Sequence, residues 1–380
     1  MKDLREEAGP EAKTVRVGSR TVTLHRDWKP LEIVWRELEE TGRCTVFQCY
    51  DWVAPWYENT LKHKVARPLI VTVADQGGVV WILPLCQYRR MGLRFISLAD
   101  LGVSDYAGPI MARDDRMSPA EQAEVLLAVR KVLPGCDMVH FQKMHAEIEG
   151  KANPLLQFGH VVAMKERCYG IEVTRPWGEL SKDIMQSRLR STIRQQRKKI
   201  QALGPLSLEH HADGGAITPA MNVLWEMRRG RFNRINRADT PEVWRSFYYD
   251  VACNPARKLD VSITILRVGD TPVACSYGLS RGRNYLSVMP TFAVGDWEGY
   301  RPGMLMFDAM LEAFGQRTGF DGFFDFTIGD EPYKQRFGAK GRPLMECMEP
   351  RSLLGLLAYV YWRFKASRRP KAEAEDDGTE

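Results

Sequence analysis

The residues from Tyr300 to Gly338 hold the chain's densest chemistry. Tyr300-Arg301-Pro302-Gly303-Met304-Leu305-Met306 leads into an apolar, helix-like run that ends at Gly319. A short strand-like segment, residues 321–326, comes next. Gly329-Asp330-Glu331-Pro332-Tyr333-Lys334-Gln335-Arg336-Phe337-Gly338 closes the stretch. Pro302 and Gly303 suit a helix start, where backbone N–H groups lack intrahelical partners. Such a start can hold a phosphate or pyrophosphate. The Asp, Glu, Tyr and Lys that follow are side chains able to move protons. The pairing points to transfer of a group from a phosphate-bearing carrier.

The elements that would position these residues recur twice. In the first half, residues 69–74 and 79–88 flank Gln76-Gly77-Gly78 as a hairpin, and 94–98 reads as a third strand. A helix over 119–133 with Ser118 as its cap and a strand over 137–141 follow. In the second half, 259–268 and 272–279 flank Gly269-Asp270-Thr271, and 284–289 is the third strand. The helix 303–318 and the strand 322–326 complete the second set. Helices precede each set, at 31–39 and 51–62, then at 184–203 and 216–229. This order predicts an α/β fold with mixed sheets, built as a tandem pair of α–β–β–β–α–β units. Only the second carries the Pro-Gly helix start; its counterpart in the first is Asp105-Tyr106-Ala107-Gly108-Pro109.

The chain has 380 residues, 44% apolar and 27% charged, enough for two domains, and its net charge of +6 is mild. Eight scattered cysteines without a C-x-x-C pair fit reduced, buried thiols and a cytoplasmic location. The seven histidines lack metal-ligand spacing, so no metal is expected. The apolar run 353–362, with Arg351, Arg363, Lys365, Arg368 and Arg369 around it, is too short to span a bilayer. It reads either as a helix packed on the domain or, over 353–364, as a peripheral membrane contact.

Residues 187–203 gather Leu189, Ile193, Ile200 and Leu203 on one helical side and Arg190, Arg194, Arg197 and Lys198 on the others. A second basic cluster runs from Arg228 to Arg245, with Arg229, Arg231, Arg234 and Arg237 among Trp225, Phe232 and Trp244. The two clusters read either as a groove for a polyanion, tRNA included, or as solvated faces.

Three segments together resemble the GNAT-type acyltransferases of the CelD/BcsL group, associated with cellulose biosynthesis and related to FemAB-like transferases. They are the basic helix from Ser187 to Lys199 followed by Leu203-Gly204, the turn Tyr300-Arg301-Pro302-Gly303-Met304-Leu305, and Asp325-Phe326 with Gly329-Asp330-Glu331-Pro332-Tyr333-Lys334 and Phe337-Gly338. The resemblance implies two GNAT-like domains at 15–172 and 173–350, the second binding the donor. A C-terminal amphipathic helix at 351–366 would follow, with disordered tails at 1–14 and 367–380. It implies acetyl-CoA or another acyl-CoA as donor, and an amine or hydroxyl on a small-molecule or glycan acceptor of envelope or exopolysaccharide type. The N–H groups of Gly303, Met304 and Leu305, helped by Arg301, would grip the pyrophosphate. The backbone of Val288 and Met289 would pair with the pantetheine arm. Asp325 would accept the acceptor's proton, Tyr333 would return one to the thiolate, and Lys334 would stabilise the oxyanion. In a FemAB-like alternative, Arg190, Arg194, Arg197 and Lys198 would bind charged tRNA; a third reading is a non-enzymatic protein that binds an anionic surface.

Overall fold

The computed structural model describes residues 13–368 except 213, 235–237 and 239. Arg237 and nearly all of both expected tails therefore lie outside the described residues. Lys13 and Thr14, expected in the N-terminal tail, already belong to strand β1 (Lys13–Val17), which forms a hairpin with β2 (Arg20–His25). Helices α1 (Glu32–Thr41) and α2 (Tyr50–Lys62) follow. Next come β3 (Arg67–Asp75), β4 (Gly78–Arg90), β5 (Leu93–Leu98) and the short β6 (Ile110–Met111). Helix α3 (Pro119–Val132) returns the chain to β7 (Met138–Met144). Ser118 starts α3 with a reciprocal cap: its hydroxyl accepts the Glu121 N–H, and Glu121 accepts the Ser118 N–H. A small ribbon, β8 (Glu147–Ile148) with β9 (Lys151–Ala152), leads to the long β10 (His160–Val173).

The second half repeats the plan. The helix expected over 184–203 starts only at Ser187, as α5 (Ser187–Gln201), because Met185 and Gln186 leave the helical conformation and the Gln186 N–H donates to the Arg336 carbonyl; a separate helix, α4 (Trp177–Ile184), precedes it. Strand β11 (Leu206–His211), α6 (Gly214–Arg234) and α7 (Glu242–Cys253) come next. They precede the hairpin β12 (Asp260–Val268) and β13 (Thr271–Arg281), then β14 (Asn284–Phe292). Helix α8 (Pro302–Arg317), β15 (Gly322–Ile328), the short α9 (Pro332–Arg336), β16 (Lys340–Pro350) and α10 (Leu353–Arg368) complete the chain.

The duplication is visible in strand direction. The ladders are antiparallel except β5 with β7 and β14 with β15, the two pairs bridged by α3 and α8. The boundary at 172/173 falls at the end of β10, yet the halves do not close as separate sheets. The strand order is β1-β2-β3-β4-β5-β7-β16-β10-β15-β14-β13-β12-β11. Strand β10 from the first half pairs with β15, and β16 from the second half pairs with β7. Alternating apolar residues then bury both faces. Ile70, Ile263 and Ile265 pack under α1, α2, α6 and α7, whereas Val71 and Val73 meet α3, and Leu266 and Val268 meet the α5–α8 side.

Candidate functional site

Strands β14 and β15 form a fork. They pair only at Asn284 with Phe323, Tyr285 with Phe324 and Leu286 with Asp325, and then diverge. Val288 is a bulge on β14, since Met289 faces Tyr277 while Ser287 faces Gly278. Past Leu286 the β14 edge that faces the fork pairs with no strand among the described residues. The backbone of Val288 and Met289 is thus the kind of open edge that takes up an extended arm.

The α8 start stands over this fork. Arg301 adopts a left-handed conformation (φ 54°) and is exposed. Its carbonyl accepts both the Met304 and the Leu305 N–H, at 3.0 and 3.3 Å. Of the three amides expected to bind a pyrophosphate, Gly303 alone remains without a backbone partner, and Leu305 is fully buried. A side chain at Gly303 would start 3.2 Å from the Phe292 ring. The Arg231 guanidinium lies 4.3 Å from the centre of that ring. Gly303, Phe292, Arg231 and Arg301 form a cationic mouth fit for a phosphate, but with one amide rather than three.

Asp325 occupies the crotch of the fork, opposite Leu286, and is 4% exposed. Gly170 on β10 lies across from it at a bulge; a Cβ there would run into the Phe323 ring at 2.1 Å. The Asp325 carboxylate accepts the Tyr106 hydroxyl at 2.8 and 2.9 Å and the Thr327 N–H at 2.7 Å. Burial raises its pKa, against the lowering effect of the Tyr106 hydrogen bond. Tyr106 belongs to the first half, so the two copies meet at this carboxylate.

The loop that brings Tyr106 here is locked from several sides. The Trp56 indole donates to the Asp100 carbonyl and the Trp52 indole to the Ser104 hydroxyl, each at 2.9 Å. Tyr248 of α7 donates to the Val103 carbonyl, and Gln48 to the Tyr106 carbonyl. Trp52 and Trp56, both fully buried, are thus struts of this loop. The same loop carries Asp105, whose Oδ2 is shielded from solvent without a hydrogen-bond partner. Burial pushes its pKa up to about 7, with Lys143 and Thr327 opposing the rise. Beside Tyr106, at 4.3 Å between ring centres, His145 is held neutral, its pKa lowered by burial to about 4. Asp105 was legible only as the place equivalent to the Pro-Gly loop; nothing in its sequence neighbourhood announces a buried acid.

Lys334 does not face the fork as a free cation. Its side chain is 2% exposed, and the ammonium donates to the carbonyls of Thr327, Ile328 and Gly329 and to Glu331. It thereby holds Thr327 at a positive φ of 62°, rare for a β-branched residue. The expected oxyanion role gives way to that of a strut, because its donors are committed. Tyr333 stacks on Phe307 of α8 with ring centres 5.3 Å apart, and burial raises its pKa. On α5, Arg190 donates to the Ser181 and Lys182 carbonyls and Arg197 pairs with Asp308 of α8. Arg194 and Lys198 are exposed. Helix α5 packs on α8 while α6 covers the opposite face, and both reach the 295–300 turn, where Arg234 at the end of α6 pairs with Glu298.

Residues 187–335, from α5 to α9, match the model of an acetyltransferase (GNAT) domain. No curated protein matches the chain. Among solved structures, FemX superposes with a TM-score of 0.58 at 10% identity, over 89% of this chain and 99% of that one. A conserved protein of unknown function from Bacteroides thetaiotaomicron VPI-5482 superposes with a TM-score of 0.52 at 9% identity, over 86% and 99%. The forked β14–β15 pair, its α8 crossover and their copy in β5, α3 and β7 accordingly make the fold a tandem pair of GNAT-like domains, with the acetyltransferase-type domain in the second half.

Proposed function

We propose that the protein moves an acyl group from acyl-CoA to an amine or hydroxyl of an envelope or exopolysaccharide precursor, as in CelD-type transferases. The observation that carries this reading is the open β14 edge running from the Gly303 mouth to a fork floored by carboxylates of both halves. Gly303 N–H, Arg301 and Arg231 receive the donor's phosphates, and Val288 and Met289 align its arm. Asp105, with a free oxygen and a pKa near neutrality, takes the proton from the acceptor as the new bond to the acyl carbon forms. Asp325 positions Tyr106 and, through it, the Asp105 loop. As the carbon–sulfur bond breaks, the Tyr333 hydroxyl protonates the departing thiolate. Holding both reactants along one edge supplies much of the rate.

Calorimetric titration with CoA and acetyl-CoA tests this. Micromolar binding is expected, and Gly303→Glu should abolish it while leaving thermal unfolding unchanged. A second reading, transfer from charged tRNA, is favoured by the exposed Arg194 and Lys198 on α5 beside the 295–300 turn. Failure of both CoA species to bind, together with salt-sensitive tRNA binding lost on Arg194→Glu, would establish it instead.

A further inference from the structure

Helix α10 is held by a thin strip of contacts. Ser352 caps it, accepting the Gly355 N–H and donating to Asp137. Gly355 sits against the Asp137 backbone so closely that a Cβ would lie 1.8 Å from its carbonyl oxygen. Further along, Tyr359 approaches His160, and Trp362 stacks on Phe95 at 5.8 Å between ring centres. These residues, four and then three apart, form one face. The opposite side leaves Leu353, Leu354, Leu356, Leu357, Val360 and Tyr361 between 46% and 82% exposed. Contiguous apolar exposure of this kind marks a contact surface.

A second, independent feature adjoins it. Phe95, the partner of Trp362, pairs with Tyr88 just before the β4–β5 turn Arg89-Arg90-Met91-Gly92. Met91 at the tip is 85% exposed, and Arg89 and Arg90 beside it are exposed. Arg363 is also exposed at the helix end, and the sequence continues with Lys365, Arg368, Arg369 and Lys371. Among the described residues the nearby carboxylates are engaged: Asp137 with Arg94, Glu346 with His140, and Glu349 with Arg130 and Arg351; the sequence beyond Lys371 adds Glu373, Glu375, Asp376, Asp377 and Glu380. No helix among the described residues is long and apolar enough to cross a membrane.

We propose that α10 and the Arg89–Met91 turn together dock the protein on an anionic phospholipid surface. The leucines enter the headgroup boundary while Arg89, Arg90 and Arg363 meet lipid phosphates. A protein partner or a second copy would need no such frame of cations around the apolar face. This docking stands independently of the acyl-transfer reading.

Cosedimentation of the full chain with phosphatidylcholine vesicles, with and without phosphatidylglycerol, tests it. Binding is expected with phosphatidylglycerol and should weaken with salt. Arg89→Glu with Arg90→Glu should reduce it by about tenfold or more. Leu357→Glu with Val360→Glu should abolish it without changing the melting curve, since both positions already face solvent. No binding to either vesicle, binding indifferent to the helix variant, or a dimer in sedimentation velocity that the helix variant dissociates would overturn the proposal.

Discussion

Two carboxylates, one from each half, are held in different electrostatic states beside Thr327. Asp325 has its oxygens committed to Tyr106 and Thr327, whereas Asp105 has a buried oxygen with no partner. The Asp105 carboxyl rises from 3.8 to about 7 through burial. Between those values the folded chain keeps a proton that the unfolded chain has released. The stability linked to this group is therefore full below the unfolded value and is lost as pH rises through 7. Asp105→Asn removes that loss, so its melting temperature should exceed the parent's at pH 8 and match it at pH 4. Its turnover should fall by about 10²–10⁴-fold, because the proton acceptor is gone. A variant as active as the parent would remove Asp105 from the chemistry. Tyr106→Phe acts differently. It leaves the buried Asp325 with one fewer donor and should cost about 1–3 kcal/mol of stability, read from urea unfolding.

The α9 turn shows how one element serves the fork without touching substrate. Three backbone carbonyls at the end of β15 converge on Lys334, which compensates a strained Thr327. Lys334→Met removes the donors but keeps the volume, so it should destabilise by about 3 kcal/mol, with lost activity tracking lost fold. Normal stability with abolished turnover would return Lys334 to the oxyanion role. At this scale the sequence was readable where pattern is local. Gly77, Gly269 and the Ser118 cap before Pro119 mark hairpins and α3 within a few residues of their observed limits. Strands β10 and β16 were not seen, because β10 is polar and half-exposed over much of its length and both gain their partners from distant segments. The Pro-Gly start of α8 was legible, but two of its three amides turned out to be taken by the Arg301 carbonyl, a detail of backbone curvature. The place of Lys334 after Tyr333 is legible in the sequence; its burial depends on tertiary contacts.

The halves are joined in the sheet by the crossing of β10 and β16 and, above it, by α2 packing on α7, besides the Tyr106–Asp325 contact. Trp52 is fully buried in that second junction, edge-on to Phe247 at 4.9 Å, and its indole also holds Ser104 in the Asp105 loop. A domain boundary in sequence therefore does not mark a boundary in stability. If the halves melted separately, the fork would lose its Tyr106 side while the donor mouth survived. A sheet continuous from β1 to β11 makes that state expensive, since parting the halves exposes both crossing strands. Calorimetric unfolding should show one transition. Trp52→Ala should move that single transition down, with a loss of about 3–5 kcal/mol, rather than split it. It should also lower turnover, because the loop that carries Asp105 loses a strut although it lies far from the Gly303 mouth. CoA affinity should stay unchanged, since α8 and β14 are untouched. Two resolved transitions in the parent would show that the halves are separate folding units and that the interdomain site forms only by docking.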